Sequence, residues 1–390
     1  MTSLPFSPQE YELRRAAVRA ALAERDIDLL YVTQPSNLYY LTGYEASWYP
    51  PRLPVGALID RDSSTVVILD WDRHAGYVKS CVLGDDFVLF RYGEAAEAIS
   101  RFFASRGWLS RSLALEWSSP TPAAPVVGEL ARQLSAAGIR IDSGDWVVDN
   151  IRLYKSAAEI ACVRKAAELA DRAMSKLWRE LRPGLSELEV SARMTELLAQ
   201  QGSEIAAMPT LVNSGPNAWR DVHSFPSNRA LQAGDILTVD CCAVVRRYHA
   251  NLGRTFLLGS RTTRAREIIQ NGAGSFEVLR SQARLDGDPA AAMAAAERYV
   301  RDRVPAENIW WIGGYNLGIS FPPSWVGHTY LANDGLQKCR LANGCVFNYE
   351  NVYSDREEGF EGGCIDTLVM TEAGLQLLST LPRQLLDVSL

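Results

Sequence analysis

The 390-residue chain has no apolar run approaching the ~18–20 residues of a membrane-spanning helix. Basic residues never cluster beyond twos and threes, and the net charge is −6. The chain therefore lacks the basic stripe that holds a nucleic acid. It also lacks Cys-x-x-Cys spacing. Its seven cysteines are an odd, scattered set with Cys241 and Cys242 adjacent, which suits neither a disulfide framework nor a zinc site. Met1-Thr2-Ser3-Leu4-Pro5 shows no basic region leading into an apolar core, so no signal peptide is visible. Reduced thiols and a cytoplasmic location are expected. No repeat of solenoid length occurs. What remains is an ordinary globular composition, 47% hydrophobic and 22% charged, long enough for two domains with good cores.

Ser7-Pro8-Gln9-Glu10 is a cap followed by proline, and Leu13, Ala17, Val18 and Leu22 continue at helical spacing, predicting a helix over 7–26. Strands are predicted at 28–32, 55–59, 64–69, 87–90 and 112–115, with helices at 94–106 and 124–138. This alternation predicts an α/β unit over 1–150. Residues 151–390 differ in character. Two amphipathic helices, 157–180 and 186–201, flank Pro183-Gly184, and a capping signal begins at Ser186. Strands follow at 208–213, 235–247 and 254–258. A helical stretch covers 262–303 with a break near Gly287, and 308–372 reads as strands and turns. The fold class is α+β.

Asp240 interrupts the apolar strand Ile236-Leu237-Thr238-Val239-Asp240-Cys241-Cys242. A carboxylate there is costly unless it is hydrogen-bonded, liganded or used, and the plainest use is holding a neighbouring loop. Arg246-Arg247 marks a turn, and Asn251, eleven positions after Asp240, can share a cleft with it across a hairpin.

The frame from Val239-Asp240 to Tyr248-x-Ala250-x-Leu252-x-Arg254-Thr255-Phe256 resembles the pita-bread superfamily of methionine aminopeptidase, aminopeptidase P, prolidase and creatinase. Asn37-Leu38-Tyr39-Tyr40-Leu41-Thr42-Gly43 is similar to the N-x-x-Y-L-T-G element of its two-domain members. Four further pieces fall in the family's order. They are Arg152 to Ile160, His223 to Asp235, Gly344 to Glu350, and Asp366 to Glu372. The resemblance implies a two-domain creatinase-like architecture, a small N-terminal α/β domain and a C-terminal pita-bread domain. It also implies a homodimer with the active site near its interface.

Metal-dependent members use two Asp, one His and two Glu. By the resemblance, those positions hold Asp240, Asn251, Tyr315, Glu350 and Ile365 here. Two ligands of five remain, too few anionic groups for a dinuclear site. No metal or other cofactor is expected, a single loosely held cation being the alternative. Creatinase is a metal-free member, and ectoine hydrolase resembles it. Creatinase works with a His at the position of His223 and a Glu at that of Glu350. Its second Glu and second His fall at Gly253 and Ile365, so creatine itself is a poor candidate.

His223, Asp240 and Glu350 are the predicted catalytic residues. His223 is suited to proton transfer near neutrality. Asp240 is a nucleophile or an electrostatic anchor, and Glu350 orients water or holds a cationic nitrogen. Cys242, two positions from Asp240 on the same strand face, is a lesser nucleophile. Arg52 lies near the position where creatinase offers an Arg to the substrate carboxylate across the dimer. Arg220 is a second such candidate. Tyr49, Trp219, Tyr315 and Asn251 are possible pocket residues, with Trp48 and Trp325 as further wall candidates. His249 is placed on the hairpin, facing the cleft or not, while His74 and His328 read as structural or exposed. The expected activity is metal-independent hydrolysis of a C–N bond in a small zwitterionic molecule. The alternatives are a metal-dependent Xaa-Pro peptidase with a degenerate site, a lyase, and a non-catalytic binding module.

Overall fold

In the computed structural model, which describes residues 4–216, 218–220, 223–260, 263–327 and 339–390, the first helix starts at its capping signal. Ser7 Oγ accepts the Glu10 N–H at 3.2 Å, and α1 runs Pro8–Glu24. There follow β1 (Leu29–Val32), α2 (Pro35–Thr42), β2 (Gly56–Asp60), β3 (Val66–Trp71), α3 (Ala75–Cys81), β4 (Asp86–Phe90), α4 (Ala95–Ser105), β5 (Ser112–Leu115), α5 (Ala124–Ala136), β6 (Arg140–Ser143) and α6 (Val147–Arg152). The strands form one mixed sheet in the order β4-β3-β2-β1-β5-β6. This first unit ends at Arg152.

Helix α2 contains the Asn37–Gly43 element and was not predicted. Seven of its eight residues are buried, so it has no polar face and no helical period to read. Its ends define it instead: Pro35 opens the first turn, and Gly43 closes it in the left-handed region at φ 72°. Glu116 pins its start, accepting the N–H groups of Thr33 and Gln34 and the amide of Asn37, each at 2.7 Å. The unpredicted α3, β6 and α6 are too short to show a period.

The second unit, from Leu153 on, holds α7 (Ala157–Glu180), α8 (Glu187–Gln201), β7 (Leu211–Ser214), β8 (Ile236–Val245), β9 (Tyr248–Leu258), α9 (Arg264–Ala273), α10 (Ser275–Gln282), α11 (Pro289–Arg301), β10 (Ile309–Gly313), β11 (Val346–Asp355), β12 (Phe360–Thr371), β13 (Gly374–Leu377) and β14 (Leu386–Val388). Ser156 with Glu159, and Ser186 with Glu189, form capping boxes at the starts of α7 and α8. Glu159 also accepts the Tyr248 hydroxyl at 2.6 Å, tying α7 to β9. The stretch 262–303 is three helices where one broken helix was expected. Its first break falls at Gly274, where a Cβ would lie 2.2 Å from the Tyr299 hydroxyl.

Strand β9 begins at Tyr248, as the reading of Arg246-Arg247 as a turn with Asn251 on the returning strand expected, and those two arginines make a two-residue turn at φ 50° and 63°. Two arginines in that conformation need support. The Glu204 carboxylate supplies it, accepting their N–H groups at 2.6 and 2.9 Å.

One eight-stranded sheet results, ordered β10-β11-β12-β9-β8-β7, with β13 on β12 and β14 on β9. One face is covered. Val239, Cys241, Ala243, Leu252 and Phe256 pack with residues of α7 and α8. Phe347, Tyr349, Cys364, Leu368 and Met370 pack with residues of α9, α10 and α11. The alternate residues, Thr238, Asp240, Glu350, Val352, Glu361, Gly363 and Ile365, line a cleft on the opposite face.

The two halves of the sheet meet between β9 and β12, where Gly253 opposite Ile365 is the recorded ladder pair. Side chains carry the rest of the seam. Thr367 Oγ1 bonds the Asn251 N–H at 2.8 Å and its C=O at 2.9 Å. Thr255 Oγ1 does the same for Gly363, at 2.7 and 2.9 Å. Arg254, fully buried, donates to Ile365 O at 3.0 Å and to the Asp366 carboxylate at 2.7 Å, and Arg383 also binds Asp366. Removing one partner of such a pair leaves a buried charge uncompensated, at about 3–5 kcal/mol. Asp366→Ala is therefore expected to destabilise the second unit by about that amount in urea unfolding. An unchanged midpoint would show that the seam does not rest on this pair.

Candidate active site

The strand register sets one row across the sheet. Leu211 lies opposite Asp240, Asp240 opposite Gly253, Gly253 opposite Ile365, Ile365 opposite Glu350, and Glu350 opposite Gly313. Asp240 and Glu350 are thereby placed on one face, separated by the two non-ionisable residues Gly253 and Ile365. The cleft above them holds a cavity of about 110 Å³. Met208, His223, Trp310, Tyr315, Trp325 and Val326 complete its walls, and Asn213, Thr238 and Glu361 join its floor.

A chain of side-chain amides joins the two predicted carboxylates. Asn251 donates to Asp240 Oδ1 at 2.6 Å and to Cys241 O at 3.1 Å, and its own oxygen accepts from Asn348 at 3.0 Å. The Asn348 amide also donates to Glu350, and its oxygen accepts the Tyr315 N–H at 2.8 Å. Trp325 Nε1 donates to the Tyr315 hydroxyl at 3.2 Å, and that hydroxyl bonds Glu350. The order is Asp240, Asn251, Asn348, Glu350, with Tyr315 and Trp325 behind the last.

Withdrawal from water and mutual repulsion dominate the electrostatics. Burial first, then the Glu350 charge, push Asp240 up to about 8 against the Asn251 hydrogen bond. Burial raises Glu350 to about 7 against the bonds from Tyr315 and Asn348. Burial, with Asp240 adding to it, raises Glu361 to about 8 against the bond from Asn213. Each carboxyl thus holds its proton to a higher pH than in water.

The model of metallopeptidase family M24 matches residues 161–372, and that of the Creatinase/Prolidase N-terminal domain matches residues 14–154. The chain belongs to family M24. Ectoine hydrolase of Halomonas elongata is 26% identical, with 98% of each chain covered. Xaa-Pro dipeptidase of Pyrococcus furiosus is 24% identical over 93% of this chain and 96% of its own. The dipeptidase PepE of Mycobacterium ulcerans superposes with a TM-score of 0.84 at 24% identity, covering 99% of this chain and all of that one. The two-domain creatinase-like architecture is the one found, and this M24 chain is a hydrolase of that fold.

The dication pair implied by the metal-dependent members does not fit these residues. Among the described residues, no three His, Cys, Asp or Glu side chains group closely enough to hold a metal ion. Neutral amides occupy the space between Asp240 and Glu350, and both are engaged in hydrogen bonds. Ile365, at the second Glu position, is packed over Gly253.

The predicted site residues divide into several groups. Asp240, Glu350 and His223 line the cleft together with Tyr315 and Trp325. His223 is exposed at its edge, its ring 5.6 Å from that of Trp310 in edge contact. Asn251 stands behind the lining as the amide that orients Asp240. Cys242 is buried opposite Asn251 and is not among the described residues that line the cleft; burial, then the Asp240 charge, push its thiol well up. Trp219 and Arg220 are not among the described residues that line the cleft; Arg220 and Arg356 lie 5.4 and 5.3 Å from the Trp219 ring.

His249 is buried between the Ala207 N–H at 3.0 Å and Arg247 O at 2.9 Å, a loop-holding role. His74 bonds Asp70 at 2.9 Å, and His328 lies outside the described residues. Arg52 and Tyr49 belong to the first unit, where Arg52 and the nearby Trp48 are exposed and the Tyr49 hydroxyl meets Tyr44 O at 3.3 Å. No two cysteines are joined in a disulfide, and among the described residues no helix is long and apolar enough to cross a membrane.

Glu361 and Asn348 were missed. Glu361 is followed by Gly362-Gly363, so it does not stand out as a charge within an apolar run as Asp240 does.

The raised carboxyls make a stability prediction. In the unfolded chain they ionise near pH 4; folded, they do so near 7 to 8. The folded state therefore binds more protons between these limits. The stability they contribute is complete below the unfolded range and is lost as pH rises through about 8. Asp240→Asn is expected to raise Tm by a few degrees at pH 8 and to leave it unchanged at pH 4. A Tm difference independent of pH would refute the proton-holding carboxyl.

Proposed function

We propose that this M24 chain hydrolyses a C–N bond of a small cationic or zwitterionic, amino-acid-like molecule without a metal. The bond belongs to an amidine, a cyclic amidine or an amide. The observation that carries this reading is the amide chain through Asn251 and Asn348. It occupies the ground between two carboxylates where a metal pair would need further anionic ligands. Carboxylates facing a small cleft attract a substrate cation, and the full-length similarity to an ectoine hydrolase supports the same class.

In this reading Glu350 holds a water against the electrophilic carbon. As the water adds, its proton passes to His223. His223 then delivers that proton to the departing nitrogen as the C–N bond breaks. Asp240 keeps one oxygen on Asn251 and turns the other to the substrate cation. In a covalent variant of the route that oxygen attacks the carbon first, and the C–N bond breaks as the nitrogen leaves with a proton from protonated His223. Water, returning a proton to His223, then hydrolyses the ester on Asp240. Acid-quenched protein then carries on Asp240 the substrate less its departed amine, or the whole substrate where the amidine is cyclic, which the electrostatic route does not leave. Arg52 binds the substrate carboxylate across the interface of a homodimer, and the protein acts in the cytoplasm.

A second reading, Xaa-Pro peptidase activity, is favoured by the similarity to the Xaa-Pro dipeptidase. Purified protein is to be assayed with ectoine, creatine, guanidino acids, ureido acids, N-acyl amino acids and Xaa-Pro dipeptides, with and without chelator. Turnover of a cationic or zwitterionic molecule that survives chelation supports the proposal. Chelator-sensitive dipeptide cleavage, with two metals per chain, overturns it. Absence of turnover with any of these, beside tight binding of a peptide, favours a binding module instead.

His223→Ala is expected to lower kcat by about 10²- to 10⁴-fold with the fold intact by circular dichroism. Unchanged kcat would remove His223 from the mechanism. In the free enzyme the carboxylates must ionise to receive a cation, so kcat/KM for a cationic substrate should rise through about pH 7 to 8. A flat profile there would contradict the assignment.

A further inference from the structure

Glu361 is a carboxylate that the mechanism above does not use. It lies on β12, two positions before Gly363 and four before Ile365, all three lining the cleft. Its main chain is fixed, since Thr238 Oγ1 donates to Glu361 O at 2.8 Å. Its neighbour Gly362 lets β12 approach closely: a Cβ there would stand 2.6 Å from the hydroxyls of both Thr238 and Thr255. The side chain is only 3% exposed. Among the described residues its one recorded side-chain partner is the Asn213 amide, at 3.5 Å, the limit of a hydrogen bond. No Lys, Arg or His among them forms an ion pair with it.

A carboxylate so placed is expensive unless something compensates it. Here three such groups, Asp240, Glu350 and Glu361, line one cleft. Two compensating ligands are possible: a metal ion, or an organic cation. A metal ion gathers its donors around one point. These three do not gather, as no group of three ionisable donors among the described residues is close enough to share an ion. A cation whose charge is spread over two or three N–H-bearing nitrogens meets the arrangement instead. In such an ion each nitrogen can pair with a separate carboxylate, and a planar cation is attracted to aromatic faces of the kind that Trp310, Tyr315 and Trp325 bring to the lining.

We propose that Glu361 is the specificity-determining residue of this cleft, binding a second nitrogen of a planar amidinium or guanidinium ion that Asp240 and Glu350 hold at the first. The proposal rests on the cationic-substrate reading above and sharpens it. It predicts that the cleft distinguishes a delocalised cation from its neutral isostere, and that Glu361 carries much of the difference.

The probes are guanidinoacetate and acetamidinium, each against its neutral counterpart, ureidoacetate and acetamide. Binding is followed by calorimetry and by tryptophan fluorescence on the full-length protein with chelator present. The native chain is expected to bind each cation at least about tenfold more tightly than its neutral partner. Glu361→Gln, nearly equal in shape, is expected to lose about tenfold in cation affinity with little change for the neutral probes. Glu361→Asp should recover part of the loss, which a merely structural role would not produce. Circular dichroism and Tm show whether each variant is folded; if Glu361→Gln is not, Glu361→Asp and Thr238→Val, which frees the Glu361 carbonyl, carry the comparison.

If the native chain shows no preference for cations, both the cationic-substrate reading and this proposal fall. A native preference that Glu361→Gln fully retains sinks the role of Glu361 alone. Titration with Mn²⁺ or Zn²⁺ without chelator gives the remaining outcome. Stoichiometric metal binding that Glu361→Gln abolishes would make Glu361 a metal ligand and overturn the proposal.

Discussion

The buried pair of Arg254 and Asp366 is the contact on which the second unit turns. It joins β9 to β12, the two strands that unite the halves of the sheet. Main-chain pairing is sparse at this seam, and the hydroxyls of Thr255 and Thr367 stand in for missing ladder bonds. The guanidinium adds hydrogen bonds to Gly253 O and Ile365 O, the two residues between Asp240 and Glu350 in the row. The distance across the cleft floor is therefore set by an ion pair on the far side of the sheet. Buried pairs of this kind contribute little net stability against an apolar replacement, but they enforce one arrangement. Here the arrangement enforced is the alignment of two carboxylates that come from different halves of the unit.

The cleft shows how such carboxylates persist in a place where the metal-dependent members carry cations. Neutral amides from Asn251 and Asn348 each satisfy an oxygen, and raised proton affinity does the rest. The cost is native-state stability near neutral pH, borne in the residues that face the cleft. The opposite face carries two apolar clusters, one under α7 and α8 and one under α9, α10 and α11. Function and stability thus occupy the two sides of the same strands, separated by the two-residue period of the pleat.

The sequence was most legible where a signal is periodic or capped. Helices α7 and α8, and the capping box of α8 at Ser186, could be read from spacing alone. Asp240 stood out because a charge broke an apolar strand. The same logic applied to Glu361 was masked by the surrounding glycines, which made that segment look like a turn. Helix α2 was invisible because burial on all sides erased its period. The hairpin turn at Arg246-Arg247 was legible, but not that its left-handed arginines are held by a distant glutamate, Glu204. Trp219 and Arg220 were chosen by residue type alone, and sequence did not show that the Arg220 guanidinium lies over the Trp219 ring. What sequence could not supply was register. That Gly253 and Ile365 lie between Asp240 and Glu350 follows only from which strands become neighbours.

The packing of Ile365 on Gly253 bears on how such a cleft evolves. A Cβ at position 253 would meet three atoms of Ile365 at 2.8 to 2.9 Å, its own branched Cβ among them, and no rotamer change relieves that contact. A creatinase-type glutamate at 253 is therefore closed to this chain until 365 changes. A metal-type glutamate at 365, arriving alone, would add a fourth carboxylate to a cleft already holding three. The glutamate at 253 is thus sterically coupled to the residue at 365. The two apolar residues at the centre of the row work as an interlock, so that neither position can take a bulky charged side chain without consequence for its neighbour.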